Sequence, residues 1–189
     1  MAFSTKGSSY DVLFLGHSYI RRFSEYIFSG KNRRVDATFG LKRDHVTAYF
    51  RGIGGARVAR IQRELPKVMA VYRPNIVILH IGGNDILHNS DDMDKLAQKV
   101  FNVAHDLHTV YGVQQVIVSQ LLSRRKARCT DYHSLVVQLN LKLAQKITEA
   151  GLSGIVFRKH IGFWSPKARA EVQHEDGVHL NDLGNHKLY

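Results

Sequence analysis

The stretch NIVILHIGG, residues 75–83, carries four consecutive aliphatic residues, admits one histidine and closes on two glycines. A strand covered on both faces reads this way, because neither of its alternating side-chain sets meets water. Such strands belong to parallel sheets flanked by helices, so this segment predicts the central strand of an α/β domain.

The same pattern recurs outward along the chain. DVLFLG (11–16) reads as a first strand and SYIRRFSEYIFSG (18–30) as a helix, with Ile20, Phe23 and Ile27 near helical spacing and Gly30 as its stop. HVTAYFRG (45–52) is β-branched and aromatic, the composition of a second strand. ARVARIQRELPKVMAVY (56–72) is helical, with a kink or break expected near Pro66. Ser90 is a candidate cap for the next helix, whose stripe is Met93, Leu96, Val100, Val103 and Leu107. QVIVSQLL (115–122) predicts a fourth strand. Tyr132, Val136, Leu139, Leu143 and Ile147 then mark a helix face ended by Gly151. GIVFRKH (154–160) predicts a fifth strand, and NDLGNHKLY (181–189) begins a closing helix. Strands and helices alternate through short connections, which implies βαβ units. The expected fold is a flavodoxin-like three-layer α/β/α sandwich with a five-stranded parallel sheet. Residues 1–10 are expected to be a loose segment and 11–189 a single domain. The chain stops as its closing helix begins, which reads as a domain excised from a longer protein.

Charge is the unusual feature. Against 16 Asp and Glu stand 27 Lys and Arg, a formal net charge of +11. Such a surface attracts polyanions, so anionic membrane and RNA are both candidate partners. Cys129 is the single cysteine, which leaves no disulfide framework within the chain and suits a reducing compartment. No apolar run approaches the roughly 20 residues of a membrane span, and the start lacks a signal-peptide core. The expected location is intracellular and cytoplasmic.

Ligands on parallel sheets bind at the carboxyl ends of the strands, and four short motifs fall at or beyond predicted strand ends. They are Gly16-His17-Ser18, Gly52-Ile53-Gly54-Gly55, Gly82-Gly83-Asn84-Asp85 and Asp176-Gly177-Val178-His179. Each alone reads as a turn or a helix cap; together they offer a chemistry. Ser18 at a helix start has a hydroxyl beside unpaired backbone N–H groups and the positive end of the dipole. Gly55, lacking a side chain, can bring its N–H close to the same oxyanion, and Asn84 can add an amide donor. His179 can take the Ser18 proton, and Asp176 three residues earlier can orient the ring.

These blocks resemble the SGNH, or GDSL-like, hydrolases, and IVILHIGGNDI with DGVHLNDLGN carries the likeness best. The resemblance spans about 11–187. It implies Ser18 as nucleophile, Asp176 and His179 as the rest of a triad, and an oxyanion hole from the Ser18 amide, Gly55 and Asn84. It also implies cleavage of acetyl, short-acyl or lipid esters without metal or cofactor. A non-catalytic RNA- or membrane-binding module on the same fold is the rival reading. Within the family, GHS followed by RR, HIGGNDI and DGVHL are similar to esterase domains in the first open reading frame protein of animal non-LTR retrotransposons. One residue departs from the family's usual Gly-Asp-Ser: His17 stands where the Asp would be. It is a rival base, disfavoured because adjacent extended residues point to opposite sides.

His80 reads as a satisfied core histidine, Asp85 as a structural acceptor and Cys129 as a bystander. His88, His105, His108 and His133 lack metal-ligand spacing. Two loops are expected on the rim of the site: 123–129, with Arg124, Arg125, Lys126 and Arg128, and 159–169, with Phe163 and Trp164. Cations beside exposed aromatics would suit an anionic lipid surface.

Overall fold

A computed structural model describes residues 9–32, 34–42 and 45–189. Five parallel strands, β1 (Tyr10–Gly16), β2 (Val46–Gly52), β3 (Ile76–His80), β4 (Gln115–Ser119) and β5 (Ile155–Arg158), lie in the order β2-β1-β3-β4-β5. Helices α1 (Ser18–Phe28), α2 (Val58–Tyr72), α3 (Met93–Thr109), α4 (Tyr132–Ala150), α5 (Pro166–Val172) and α6 (Asp182–Leu188) complete the fold. This is the doubly covered parallel sheet that the central run predicts. Of the segment expected to be loose, residues 1–8 lie outside the described residues and Tyr10 already pairs with Val46.

Alternation along β1 sorts the two layers. Leu13 and Leu15 join the larger core with Val77, Leu79, Val116 and Val118, beneath α2, α3 and α4. Phe14 points the other way, into a smaller core with Ile20, Phe23 and Ile27 of α1. The whole predicted α3 stripe is buried, and each such side chain contributes about 1.5–3 kcal/mol by leaving water. Between β1 and β3 the strand order reverses direction, leaving a crevice beyond their carboxyl ends. Gly16 keeps that crevice tight, because a Cβ there would run into the His80 carbonyl of the neighbouring strand.

Local details differ from the sequence reading where longer-range contacts compete. α2 runs unbroken through Pro66, its buried face of Ile61, Leu65, Val68 and Met69 anchored on the sheet. α3 is capped by Asp92, whose carboxylate accepts from the Asp94 and Lys95 N–H groups, and not by Ser90. His17 is the N-cap of α1, with Nδ1 accepting from the Tyr19 N–H at 3.4 Å. Ser18 is therefore the first helical residue rather than the cap. β4 ends at Ser119, before the predicted Leu122. Beyond it the buried Asn140 side chain pairs with both the N–H and the C=O of Leu121, each at 2.9 Å, replacing a strand partner. The loop expected over 159–169 breaks into α5, where Ser165 caps and Pro166 occupies the first turn.

Candidate active site

Ser18, His179 and Asp176 come together although 161 residues separate the first two in the chain. His179 Nε2 lies 2.7 Å from Ser18 Oγ, and its Nδ1 lies 2.8 Å from Asp176 Oδ2. The Asp176 carboxylate is itself fixed by its own turn: Oδ1 accepts from the Val178 and His179 N–H groups, both at 2.9 Å. Gly177 takes φ +67° there, the left-handed conformation that favours glycine. Tyr19 packs its ring 5.6 Å from His179, and its hydroxyl donates to the Val178 carbonyl.

The electrostatics follow from these contacts. Burial pushes the Asp176 carboxyl up, but the His179 N–H, the His179 ring and the Val178 N–H outweigh it and hold it well below the usual carboxylate range. Burial lowers the His179 imidazole below its ordinary value; Asp176 opposes this, and the cations of Arg22 and Arg124 add to it. Arg22 sits one helical turn beyond Ser18 and places Nη2 3.1 Å from Asp176 Oδ2. The sequence reading passed over Arg22, yet its i+4 spacing from Ser18 on α1 was the available signal. His17, fully buried, is held neutral first by that burial and then by His80. Its Nδ1 is engaged with the Tyr19 N–H and its buried Nε2 has no hydrogen-bond partner, so neither nitrogen meets Ser18, which pairs with His179 instead.

A pH consequence arises here. A base must be neutral to accept a proton, so with His179 in the base's role that the resemblance implies, its lowered pKa would keep it competent to below about pH 6.5. The acid limb of kcat/KM for ester hydrolysis is expected below that value. Arg22→Gln removes a charge that repels the imidazolium and is expected to move the limb upward. A pH–rate profile in which Arg22→Gln leaves the limb unmoved, or lowers it, contradicts this coupling.

The second and third motifs meet beside this file. Asn84 Nδ2 gives one hydrogen to the Ala56 carbonyl at 2.9 Å, tying the two motifs together and leaving its second hydrogen available. Gly55 takes φ +67° with open space around the Cβ position, so its glycine answers a backbone need, not a steric one. Among the described residues, the Ser18 and Gly55 backbone N–H groups have no hydrogen-bond partner. Asp85 accepts from the Val58 N–H and so anchors the start of α2. Burial raises its pKa to about 6 against that bond.

The expected rim divides. Arg124 turns inward: its Nη2 donates to Asn84 Oδ1 at 3.0 Å, and its guanidinium lies over the Tyr19 and Tyr132 rings. Phe163 is buried, 4% exposed, with Tyr19, Leu122, Val172 and Leu180. Trp164 is half-buried, its Nε1 donating to Gln120. An exposed aromatic pair is thus corrected, because both rings fill the space between the β5 loop and α5. Arg125, Lys126 and Arg128 stay exposed. The backbone N–H groups of Arg125 and Lys126 donate to the Gly177 carbonyl at 2.8 and 2.9 Å, fastening this loop to the Asp176–His179 turn. Among the described residues, no group of three His, Cys, Asp or Glu could hold a metal ion, and no helix is long and apolar enough to cross a membrane.

A hydroxyl, an imidazole and a carboxylate in file, beside amide donors, can move a proton off the hydroxyl and receive a developing oxyanion. The GDSL-like Lipase/Acylhydrolase family pattern matches residues 14–187. No curated protein matches the sequence. In fold, the chain is similar to a catalytic mutant of an acetylxylan esterase from Geobacillus stearothermophilus, with TM-score 0.72 and 14% identity over 96% of this chain and 91% of that one. It is similar to a family 3 carbohydrate esterase from Clostridium thermocellum, with TM-score 0.66 and 17% identity over 96% and 92%. A GDSL-like lipase from Bacteroides thetaiotaomicron gives TM-score 0.70 and 15% identity over 94% and 84%.

Proposed function

Because the chain belongs to the GDSL-like lipase/acylhydrolase family, and is on that ground an ester-hydrolysing enzyme, we propose that it is a serine esterase working through an acyl-enzyme. The observation that carries this reading is the continuous file from Ser18 Oγ through His179 to Asp176, at 2.7 and 2.8 Å. Ser18 Oγ attacks the ester carbonyl while His179 Nε2 takes its proton. The oxyanion accepts hydrogen bonds from the Ser18 and Gly55 N–H groups and from the free hydrogen of Asn84 Nδ2. His179 returns the proton to the departing alkoxide, and a water activated by the same ring then cleaves the acyl-enzyme. Asp176 holds the Nδ1–H tautomer throughout.

A pocket of about 130 Å³ beside Gly55 and Asn84 supports an acetyl or short-acyl substrate over a long lipid chain. Hydrolysis of p-nitrophenyl acetate against the octanoate tests this. The acetate is expected to turn over faster, and Asn84→Ala to slow it by ~10²–10³, as for a lost oxyanion donor. Equal rates on the two esters would overturn the short-acyl reading, and no turnover on either favours the non-catalytic binding module. The net charge of +11 and the exposed Arg125, Lys126 and Arg128 support an anionic macromolecular partner. The motif likeness to retrotransposon esterase domains supports RNA or an anionic membrane in that role. Salt-dependent co-sedimentation with anionic vesicles and with single-stranded RNA separates these, and binding to neither removes the partner.

A further inference from the structure

The pocket beside the oxyanion donors has an unusual lining. Its walls are Gly55, Arg57, Asn84, Ile86, Arg124 and Arg128, so three arginines, Arg57 and Arg128 of them exposed, line a space of about 130 Å³. Like charges gather at a cost unless something negative sits among them. Among the described residues no carboxylate lies within salt-bridge distance of any of the three, although Asp85 and Asp91 act on Arg57 from further away. Arg57 is the N-cap residue of α2, but its guanidinium has no acceptor to offer the helix, and Asp85 serves the Val58 N–H. Arg124 donates one nitrogen to Asn84, while its buried Nε has no partner. The pocket is therefore positive on balance, and it adjoins Gly55 and Asn84, the proposed oxyanion donors.

We infer that this pocket selects small esters that carry a negative charge a few atoms from the scissile carbonyl, such as the half-ester of a dicarboxylic acid. The inference rests on the esterase reading and adds the substrate class. Size and geometry both fit. The space equals about four waters, enough for a two-carbon arm and a carboxylate. Planar guanidinium forks match a carboxylate's two oxygens. Arg124 links the two tasks, because its Nη2 grips Asn84 Oδ1 and the same residue lines the pocket. The charge can lie on the acyl or on the alcohol side of the ester, and matched pairs tell these apart.

The experiment measures acid release from monomethyl succinate against methyl butyrate, and from O-acetylglycolate against ethyl acetate. At least one anionic ester is expected to exceed its neutral partner in kcat/KM by about tenfold, the scale of a charge-assisted hydrogen bond. The acyl-side pair carries the preference if the succinyl arm fills the pocket, and the alcohol-side pair if the glycolate does. In Arg57→Gln/Arg128→Gln protein that ratio is expected to fall toward one, and in Arg128→Glu protein to invert. Ratios at or below one in both wild-type pairs overturn the inference, as does a preference that survives both variants. Ser18→Ala protein, which should bind without turning over, separates this from the esterase reading. Monomethyl succinate is expected to shift the Asn84 side-chain amide resonance, with no shift once Arg57 and Arg128 are Gln. Should no ester be cleaved yet this binding persist, the esterase reading fails and the anion pocket stands. Absent binding with neutral esters still cleaved removes the pocket alone.

Discussion

Ser18→Ala is expected to lower ester turnover by about 10⁴–10⁶, the scale on which a covalent nucleophile's loss reads in kcat. The change removes one oxygen, the atom that His179 Nε2 faces at 2.7 Å. No neighbouring group can stand in for it. His17 is buried, held neutral and engaged with the Tyr19 N–H, and Tyr19 donates its hydroxyl to Val178. The variant should keep its fold, because His17 rather than Ser18 caps α1. A thermal melt close to wild type beside a lost rate therefore assigns the effect to chemistry. Turnover within about tenfold of wild type would remove Ser18 from the nucleophile's role and the acyl-enzyme with it.

Asp176→Asn is expected to cost nearly as much, about 10⁴, through the wrong imidazole tautomer. The turn dictates this outcome. Oδ1 accepts from two backbone N–H groups, those of Val178 and His179, so an asparagine must keep its oxygen there. Its NH₂ then occupies the Oδ2 position, 2.8 Å from His179 Nδ1. A donor facing Nδ1 makes that nitrogen the acceptor and moves the ring proton to Nε2, which can no longer accept from Ser18. Arg22 would also lose the oxygen it reaches at 3.1 Å. Single-turnover rates together with the imidazole nitrogen shifts check this. An Asn variant with normal rate, or with Nδ1 still protonated, refutes the tautomer argument.

His17→Asp, which restores the family's usual residue, is expected to stay active, since an aspartate can also cap α1.

The sequence by itself determined the alternation of strands and helices. Continuous apolar runs such as 75–81 and 3.6-residue stripes such as Met93 to Leu107 are properties of local order, and burial enforces them wherever the partner comes from. It also placed three of the four motifs at strand ends, because glycine, serine and asparagine mark where a strand stops and a helix starts; the fourth, Asp176–His179, lies in the turn between α5 and α6. Tertiary structure decided what depends on distant neighbours. Pro66 stays inside α2 because the sheet holds that helix's apolar face. Asp85, contributed by the loop after β3, serves the start of α2 in place of a local cap. α5 was locally legible in Ser165-Pro166, yet what Phe163 touches was not: its ring is buried by Leu122, Val172 and Leu180, from other parts of the chain. The clearest case is Arg124. In sequence it is one cation in SRRKAR, indistinguishable from Arg125. Asn140 pairs the backbone of Leu121 three residues earlier, and the Gly177 carbonyl holds the backbone just after it. Between these two anchors Arg124, alone of the loop's four cations, turns inward to meet Asn84. Charge is written in the residue, but direction is set by the long-range hydrogen bonds that fix the loop on both sides of it.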